Sequence, residues 1–295
     1  MVSDVQALER RLRTWSSRTP DSSGPKITTV SGSMTDQGER SVDLAPLHWR
    51  LLLGMRTDST SYADAIDRVL TWSSARESRY VCVANVHVTM ESYDSAEFRK
   101  VVNGADLVTP DGMPLVWALR LFGVSGATQV RGPSLTLDMI ERAAAADVPV
   151  GFYGGTPAVL NLLVQACQRR CPKLRTVYAH APPFRQLSSE EDAKVIEEIN
   201  ASGAAILFVG LGCPKQERWM ASHRGSVNAV MHGVGAAFDF LAGVKPEAPT
   251  WWQHAGLEWV FRLATEPRRL WWRYCYHNPR FVVLLAGQYL KSIST

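Results

Sequence analysis

The sequence predicts an α/β fold, in which a mainly parallel, Rossmann-like sheet is flanked by helices and followed by a helical C-terminal appendage. Two observations lead to this prediction. Short apolar segments alternate with segments of helical periodicity along most of the chain, as expected for parallel strands linked by helices. Clusters of glycine and polar residues also fall where the strands are expected to end, and such sheets bind ligands at that edge.

Three regions are expected along the 295 residues. Residues 1–44 are rich in Ser, Thr, Asp and Arg, which predicts a disordered N-terminal lead-in. Residues 45–255 are expected to form the α/β core. Residues 256–295 are expected to form a basic, tryptophan-rich helical appendage that serves the membrane and the active site.

The first half of the predicted core is built from strands rich in β-branched residues and helices with apolar residues three or four apart. Ser134 is expected to be the N-cap of the last helix of this half. The predicted elements are helix 61–73, strand 80–88, helix 95–103, strand 107–109, helix 113–121 and helix 134–146.

The second half continues the alternation. Pro157 fits the first turn of a helix, and Ser188 to Glu191 reads as a capping box. The predicted elements are strand 149–153, helix 157–170, strand 174–179, a helix from 188–191 to about 201, strand 204–209, helix 215–223, strand 229–231 and helix 236–241.

Three helices are expected near the C-terminus. Residues 256–263 form the first, and Thr265 is the predicted N-cap of a second that stops at Asn278-Pro279. Residues 280–292 form a separate last helix, whose length of about 18 Å is too short to span a bilayer.

The charge is concentrated in this appendage. The net charge of +4 is too small to suggest a nucleic-acid partner. Residues 256–295 hold six basic and two acidic residues, and residues 251–272 hold five of the ten tryptophans. This composition predicts contact with an anionic partner or a membrane surface. The alternative is a tail that packs its tryptophans and exposes its arginines to solvent.

Several functional classes are disfavoured by missing motifs. The five cysteines include no Cys-x-x-Cys pair and the histidines show no ligand spacing, so neither a metal site nor a disulfide framework is expected. No Walker A or Gly-x-Gly-x-x-Gly sequence follows a strand, so a dinucleotide-dependent enzyme is a weak alternative and no cofactor is expected. No apolar leader begins the chain, which predicts a location on the cytoplasmic side.

Asp111 is the strongest acid-base candidate. It follows a predicted strand and precedes Gly112, so its carboxylate is expected to project into the crevice at the strand end, where it could accept a proton from a hydroxyl nucleophile. The alternative is an ordinary turn aspartate in Pro-Asp-Gly.

Two further strand ends suit a phosphate or nucleotide. Gly154 and Gly155 lead into a helix whose first N–H groups could hold a phosphate, although a tight turn needs such glycines anyway. Residues 210–219 suit a base, ribose or diphosphate better than a merely capped helix. The candidate binding residues in this segment are Gly210, Gly212, Pro214, Gln216 and Glu217.

No Asp-x-Asp pair is present to hold a cation for a sugar transfer. If the protein is a sugar transferase, charge on the leaving diphosphate would therefore have to be offset by arginines or helix termini. The candidates are Arg262, Arg268, Arg269 and Arg273, of which positions 269 and 273 share a helix face. Their alternative role is surface charge.

These segments together resemble the WecG/TagA/CpsF family of bacterial glycosyltransferases, glycosyltransferase family 26. The resemblance covers most of residues 45–285. It rests on blocks in matching order at residues 105–117, 130–133, 151–155, 210–219, 233–239, 248–249, 256–259, 262–263 and 266–269.

The resemblance implies an inverting glycosyltransferase that moves a sugar from a UDP-sugar to a polyprenyl-diphosphate-linked acceptor for a cell-surface polysaccharide, such as teichoic acid, capsule or exopolysaccharide. N-acetylmannosamine, glucose or a related hexose is the implied donor sugar. Asp111 is the implied general base, and Asn85 and Gln216 line the pocket. The C-terminal segment is expected to bring Arg262, Arg269 and Arg273 to the diphosphate and to touch the inner face of the membrane. Gly233 and Asp239 lie in matching blocks and complete the predicted binding residues, together with Arg131.

The chain departs from the family pattern at three positions. Val83 replaces the threonine of Thr-x-Asn, Gln129 replaces an arginine, and Ser134 replaces an aspartate. Arg131 is the candidate substitute for the missing arginine. These changes motivate an alternative function, a non-catalytic subunit that binds a UDP-sugar or a lipid diphosphate within a polysaccharide assembly complex. A homo-oligomer is compatible with the sequence, which does not fix the oligomeric state.

Overall fold

The computed structural model describes residues 44–294. The predicted lead-in therefore falls, apart from Leu44, outside the described residues.

A six-stranded sheet forms the centre of the fold, and all of its strand pairs are parallel. An antiparallel hairpin precedes it. The strands are β1 (Trp49–Leu52), β2 (Met55–Asp58), β3 (Arg79–Ala84), β4 (Leu107–Pro110), β5 (Val150–Gly154), β6 (Thr176–His180), β7 (Ile206–Gly210) and β8 (Val230–Gly233). The sheet order is β4-β3-β8-β7-β5-β6. The predicted α/β class with a mainly parallel sheet is confirmed.

Helices connect the strands and cover the sheet. They are α1 (Tyr62–Ser74), α2 (Val86–Asp94), α3 (Ala96–Asn103), α4 (Met113–Leu121), α5 (Gly132–Ala145), α6 (Pro157–Arg170), α7 (Ser189–Ser202), α8 (Lys215–Ser222), α9 (Ala237–Leu241), α10 (Thr250–His254), α11 (Glu258–Thr265) and α12 (Pro267–Ile293). Helix α10 was not predicted; apart from this and the differences described next, the predicted bounds agree with these within two residues.

The hairpin of β1 and β2 is an element that the sequence analysis missed. Leu53 and Gly54 both have positive φ at its turn (52° and 86°), as two-residue hairpin turns require. Asp58, at the end of β2, accepts the backbone N–H of Val108 in β4 at 2.8 Å. The hairpin is thereby fastened to the edge of the main sheet.

Strand β3 is shorter than the predicted strand 80–88. It ends at Ala84, because the side chain of Asn85 accepts the backbone N–H groups of His87 and Val88 at 3.0 and 3.3 Å and starts a helix. An asparagine N-cap outweighs the strand propensity of the valines that follow it.

The predicted N-cap at Ser134 is also wrong. Helix α5 begins at Gly132 with Arg131 in the N-cap position. The Ser134 hydroxyl instead accepts a hydrogen bond from the Arg131 guanidinium at 2.9 Å.

The largest difference is at the C-terminus, where one helix replaces the two predicted. Helix α12 has 27 residues and continues through Pro279, while Thr265 closes α11 rather than capping α12. Leu270, His277 and Phe281 are buried along one face. This docking outweighs the backbone hydrogen bond lost at the proline.

The far end of α12 is anchored as well, because the Gln288 side chain bonds the backbone of Leu51 and Leu53 at 2.7 and 2.8 Å. At about 40 Å the helix is long enough to cross a bilayer, unlike the short helix predicted. None of the helices in the described part of the chain is both long and apolar enough to do so.

We expect Phe281→Ala to lower the free energy of unfolding by about 3–5 kcal/mol, because this ring lies 2% exposed in the core. Val283→Ala, on the exposed side of the same helix, is the control and should change it by less than about 0.5 kcal/mol. Urea unfolding of both variants measures the difference. Equal effects would contradict a docked, continuous α12.

Candidate active site

Two adjoining cavities of about 260 Å³ each open at the carboxyl ends of the parallel strands. They share one wall, made of Asn85, His87, Asp111, Glu258, Arg262 and Arg273. Strands β3 and β4 position the first three of these residues, and α11 and α12 supply the rest. The predicted ligand edge of the sheet is therefore where the cavities lie.

The two cavities differ in chemistry. The one we call the polar cavity is walled by glycine-rich loops and charged side chains, including Gly212, Gln216, Glu217, Gly233, Gly235 and Arg269. The one we call the apolar cavity exposes mainly apolar surface, to which Val86, Met113, Pro114, Trp259 and Val282 contribute, although polar residues such as Gln253 and Asn278 also line it.

Asp111 lies on the shared wall, and its loop is held at several points. Its backbone N–H donates to Ala84 at 2.8 Å, and its backbone carbonyl accepts the Gln129 amide at 2.6 Å. Carboxylate Oδ1 accepts the N–H of Gly132 at 2.8 Å. Oδ2 has only a 3.5 Å contact with the Asn85 amide. This oxygen therefore retains capacity to accept a proton.

The surroundings of Asp111 raise the pKa of its carboxyl above the ordinary value. Burial is the largest cause, and the neighbouring carboxylate of Glu258 adds repulsion. The Gly132 N–H, Arg131 and Arg262 act in the opposite direction but do not cancel the rise. A raised pKa brings a carboxylate closer to the range that suits a general base.

Arg131 is buried beside this carboxylate but lines neither cavity. Its guanidinium pairs with Glu258 at 2.7 Å and with Glu247 at 3.4 Å, and only 4% of its side chain is exposed. The structure thus places this predicted binding residue in an ion-pair network that joins the loop before α5 to α11.

The three predicted arginines of the appendage converge on the polar cavity. Arg269 pairs with Glu266 at 2.7 Å. In the described part of the chain, no carboxylate lies within ion-pair distance of Arg262 or Arg273, and Nε of Arg262 is buried without a hydrogen-bond partner. Burial and the charge of Arg269 lower the pKa of Arg273. Uncompensated positive charge of this kind favours an anion. Arg268 does not line either cavity.

Gln216 is held by the loops that it connects. Its Oε1 accepts the N–H groups of Gly212 and Gly235 at 3.2 and 3.0 Å, and its Nε2 donates to Glu217 at 2.9 Å. This amide fixes the loops after β7 and β8 relative to each other. Oε2 of Glu217 is buried without a partner in the described part of the chain, and burial raises the pKa of this carboxyl.

The remaining predicted residues line neither cavity. A side chain at Gly154 would meet the Gly210 backbone at 2.6 Å, and one at Gly210 would collide with Phe238, so both glycines permit close packing. Gly155 lies beside the same ring. Pro214 precedes α8, and Asp239 pairs with Lys245 at 2.5 Å.

The departures from the family pattern have structural roles. Gln129 supports the Asp111 carbonyl. Val83 lines the polar cavity and lies 3.1 Å from where a Cβ on Gly132 would be.

One group of chemically capable residues was missed. His87, Glu91 and His277 place ligand atoms within 4.8 Å of one another. Burial, with added effects of Arg273 and His277, lowers the pKa of His87 to about 3. Burial likewise lowers the pKa of His277. The helical spacing of His87 and Glu91 was visible in the sequence, but nothing in it linked them to His277.

The chain was also compared with known families. Residues 50–295 match the profile of the family described as Glycosyl transferase WecG/TagA/CpsF. That match covers nearly all of the described residues, including both cavities and the appendage. A sheet with a ligand edge, a carboxylate on the wall between two cavities and a cluster of arginines over one of them all agree with sugar transfer, and the chain belongs to the WecG/TagA/CpsF family of glycosyltransferases.

Proposed function

We propose that this protein is an inverting hexosyltransferase that moves a sugar from a UDP-sugar to a polyprenyl-diphosphate-linked acceptor in the synthesis of a cell-surface polysaccharide. N-acetylmannosamine, glucose or a related hexose is the proposed donor sugar. The observation that carries the proposal is the position of Asp111 on the wall between a polar and an apolar cavity.

The polar cavity suits the nucleotide diphosphate of the donor. Gly212 leaves its loop open to close approach, because a Cβ at this position would meet nothing within 4 Å, and three arginines face the cavity. The unpartnered Oε2 of Glu217 offers an acceptor for a donor hydroxyl or N–H. The apolar cavity then receives the acceptor, whose sugar would sit near Asp111 with its lipid carrier directed outward.

The transfer is a single displacement. An acceptor hydroxyl oxygen forms a bond to the anomeric carbon while the bond from that carbon to the diphosphate breaks. The hydroxyl proton passes to Oδ2 of Asp111, and the electron pair leaves with UDP. Arg262 and Arg273, which lack carboxylate partners in the described chain, offset the charge that develops on the leaving diphosphate. Attack on the face opposite the leaving group inverts the configuration.

We further propose that α12 holds the protein at the inner face of the cell membrane, where the lipid-linked acceptor lies. Trp272, Tyr276, Val283 and Leu290 follow helical spacing along its exposed side. Leu270 and Phe281 are buried on the opposite side. A helix that docks on one face and exposes an apolar face beside basic residues fits a lipid surface.

The direct test is release of UDP by the purified full chain, using a panel of UDP-sugars with and without a short-chain prenyl-diphosphate-linked N-acetylglucosamine acceptor. Acceptor-dependent release with one donor would support the proposal and name the sugar. If donors bind but none is turned over with this acceptor or with longer lipid-linked acceptors, the non-catalytic binding subunit replaces it.

Asp111→Asn is expected to lower kcat roughly 10²–10⁴-fold, the usual contribution of a general base. Donor affinity should persist, because the amide oxygen can still accept the Gly132 N–H. Single-turnover kinetics and calorimetric donor binding measure the two effects. Asp67→Asn, in an exposed ion pair with Arg142, is the control. Full activity in Asp111→Asn would contradict the assigned base.

The pH profile tests the electrostatics of the same carboxyl. Asp111 accepts a proton only when ionised, so kcat/KM falls as the pH falls through its raised pKa. Glu258→Gln removes a repulsive charge that raises this pKa, so we expect the acid limb to move to lower pH. Glu247→Gln, which also pairs with Arg131, is the matched control and should shift the limb less. A shift of the limb to higher pH in Glu258→Gln would refute this assignment.

Membrane binding is tested by charging the exposed side of α12. The double variant Trp272→Glu, Val283→Glu should bind phosphatidylglycerol-containing vesicles about tenfold or more weakly, because each large apolar side chain contributes on the order of 1.5–3 kcal/mol when it leaves water. Gln165→Glu, Gln168→Glu adds the same charge on the exposed side of α6 and serves as the control. Vesicle co-sedimentation gives both affinities, and equal loss in the two variants would argue against α12 as the contact.

A further inference from the structure

The group of His87, Glu91 and His277 joins the two helices that close the apolar cavity. His87 and Glu91 lie one turn apart on α2, and their side chains approach to 3.7 Å. His277 comes from α12, and the two imidazole rings lie 5.4 Å apart, centre to centre. All three residues place a ligand atom within 4.8 Å of the other two. Two atoms bound to one zinc ion at about 2.0–2.2 Å lie at most about 4.4 Å apart, so small side-chain movements would let one ion contact all three.

The buried histidine atoms in this group lack the partners that such atoms normally have. Nδ1 of His87 and Nδ1 of His277 are both buried with no hydrogen-bond partner in the described part of the chain. Buried polar atoms of side chains are almost always satisfied. A pair of imidazoles left in this state beside a carboxylate is therefore an arrangement that an added ligand would complete.

We propose that His87, Glu91 and His277 form a site for a transition-metal ion, with zinc as the best fit, that links α12 to α2. Two imidazoles and one carboxylate are a zinc ligand set, and they leave a fourth tetrahedral position. Both histidines line the apolar cavity, so that position is accessible to water or to an oxygen atom of a ligand. Hard cations such as Mg²⁺ are disfavoured, because they prefer oxygen ligands.

The same ion would stabilise the placement of the site arginines. Arg273 lies one turn before His277 on α12, so an ion that fastens His277 to α2 also restrains Arg273 beside the polar cavity. The positive charge of Arg273 acts on both histidines and therefore opposes a bound cation. Glu91 supplies the compensating negative charge. We therefore expect the affinity for zinc to change when either Arg273 or Glu91 is substituted.

The test is a zinc titration of the full chain without an affinity tag, after removal of bound metal with a chelator. We expect one equivalent of Zn²⁺ to bind and to raise the Tm, and Mg²⁺ to do neither. His87→Ala, His277→Ala and Glu91→Gln should each weaken zinc binding roughly tenfold or more, since loss of a ligand costs at least as much as loss of a ligand's supporting contact. His48→Ala, at an exposed histidine outside the group, is the matched control and should bind as the parent does.

A variant that gains affinity separates the site from a general loss of structure. Arg273→Met removes the opposing charge and should bind Zn²⁺ more tightly than the parent. Cobalt substitution of the parent should give the visible absorption of a four- or five-coordinate nitrogen and oxygen site. Absence of stoichiometric binding in the parent, or binding that none of the substitutions changes, would overturn the proposal. The measurements of zinc binding, Tm and cobalt absorption need no sugar donor. Their outcome is therefore independent of the test of transferase activity.

Discussion

The buried guanidinium of Arg131 is the contact on which the site depends. It pairs with Glu258 of α11 and with Glu247, so it ties the C-terminal segment to the start of α5, where the N–H of Gly132 donates to the Asp111 carboxylate. Removing one member of such a network leaves a charge buried without its partner, which is costly. Burial is the main reason that the pKa of the Asp111 carboxyl is raised, and the network adjusts this pKa further, because Glu258 raises it while Arg131 lowers it. The charges that join the C-terminal segment to the site therefore also modulate the basicity of the candidate base.

The position of Arg273 depends in turn on how helix α12 docks on the core. Its buried face, with Leu270 and Phe281 in contact with the core, fixes the side on which Arg273 faces the cavities. Its opposite face stays apolar and exposed. One helix thus presents charge to the cavities and an apolar surface outward. A rotation of α12 would therefore change the position of Arg273 and the orientation of the apolar face together. Two short helices with a break at Pro279, as the sequence predicted, would allow the halves to move independently. The continuous helix does not.

The fold was largely predictable because strand and helix periodicities alternate clearly, and α4 and α6 were predicted with their observed bounds. The errors arose where local propensity was outweighed by another interaction. That interaction was either a contact between residues distant in sequence or a single side-chain hydrogen bond. Asn85 ends β3 by capping α2 although valines follow it. Docking of Phe281 carries α12 through its proline. The hairpin of β1 and β2 was missed because its strands are only four residues long and are stabilised by contacts to β4 and α12.

The candidate site was predictable to the extent that strand ends converge. Asn85 and Asp111 follow neighbouring strands and meet, whereas Gly154 and Gly210 are the last residues of the neighbouring strands β5 and β7 and are needed for packing. Sequence alone does not separate these two uses of a strand end.

The departures from the family pattern at Gln129 and Ser134 are best considered together. The family pattern has an arginine and an aspartate at these positions, so losing both leaves the net charge unchanged. In this chain Gln129 donates to the Asp111 carbonyl, and Ser134 accepts a hydrogen bond from Arg131. A neutral amide supports the loop without lowering the pKa of Asp111 as a nearby cation would. The substitutions are therefore compatible with a working base.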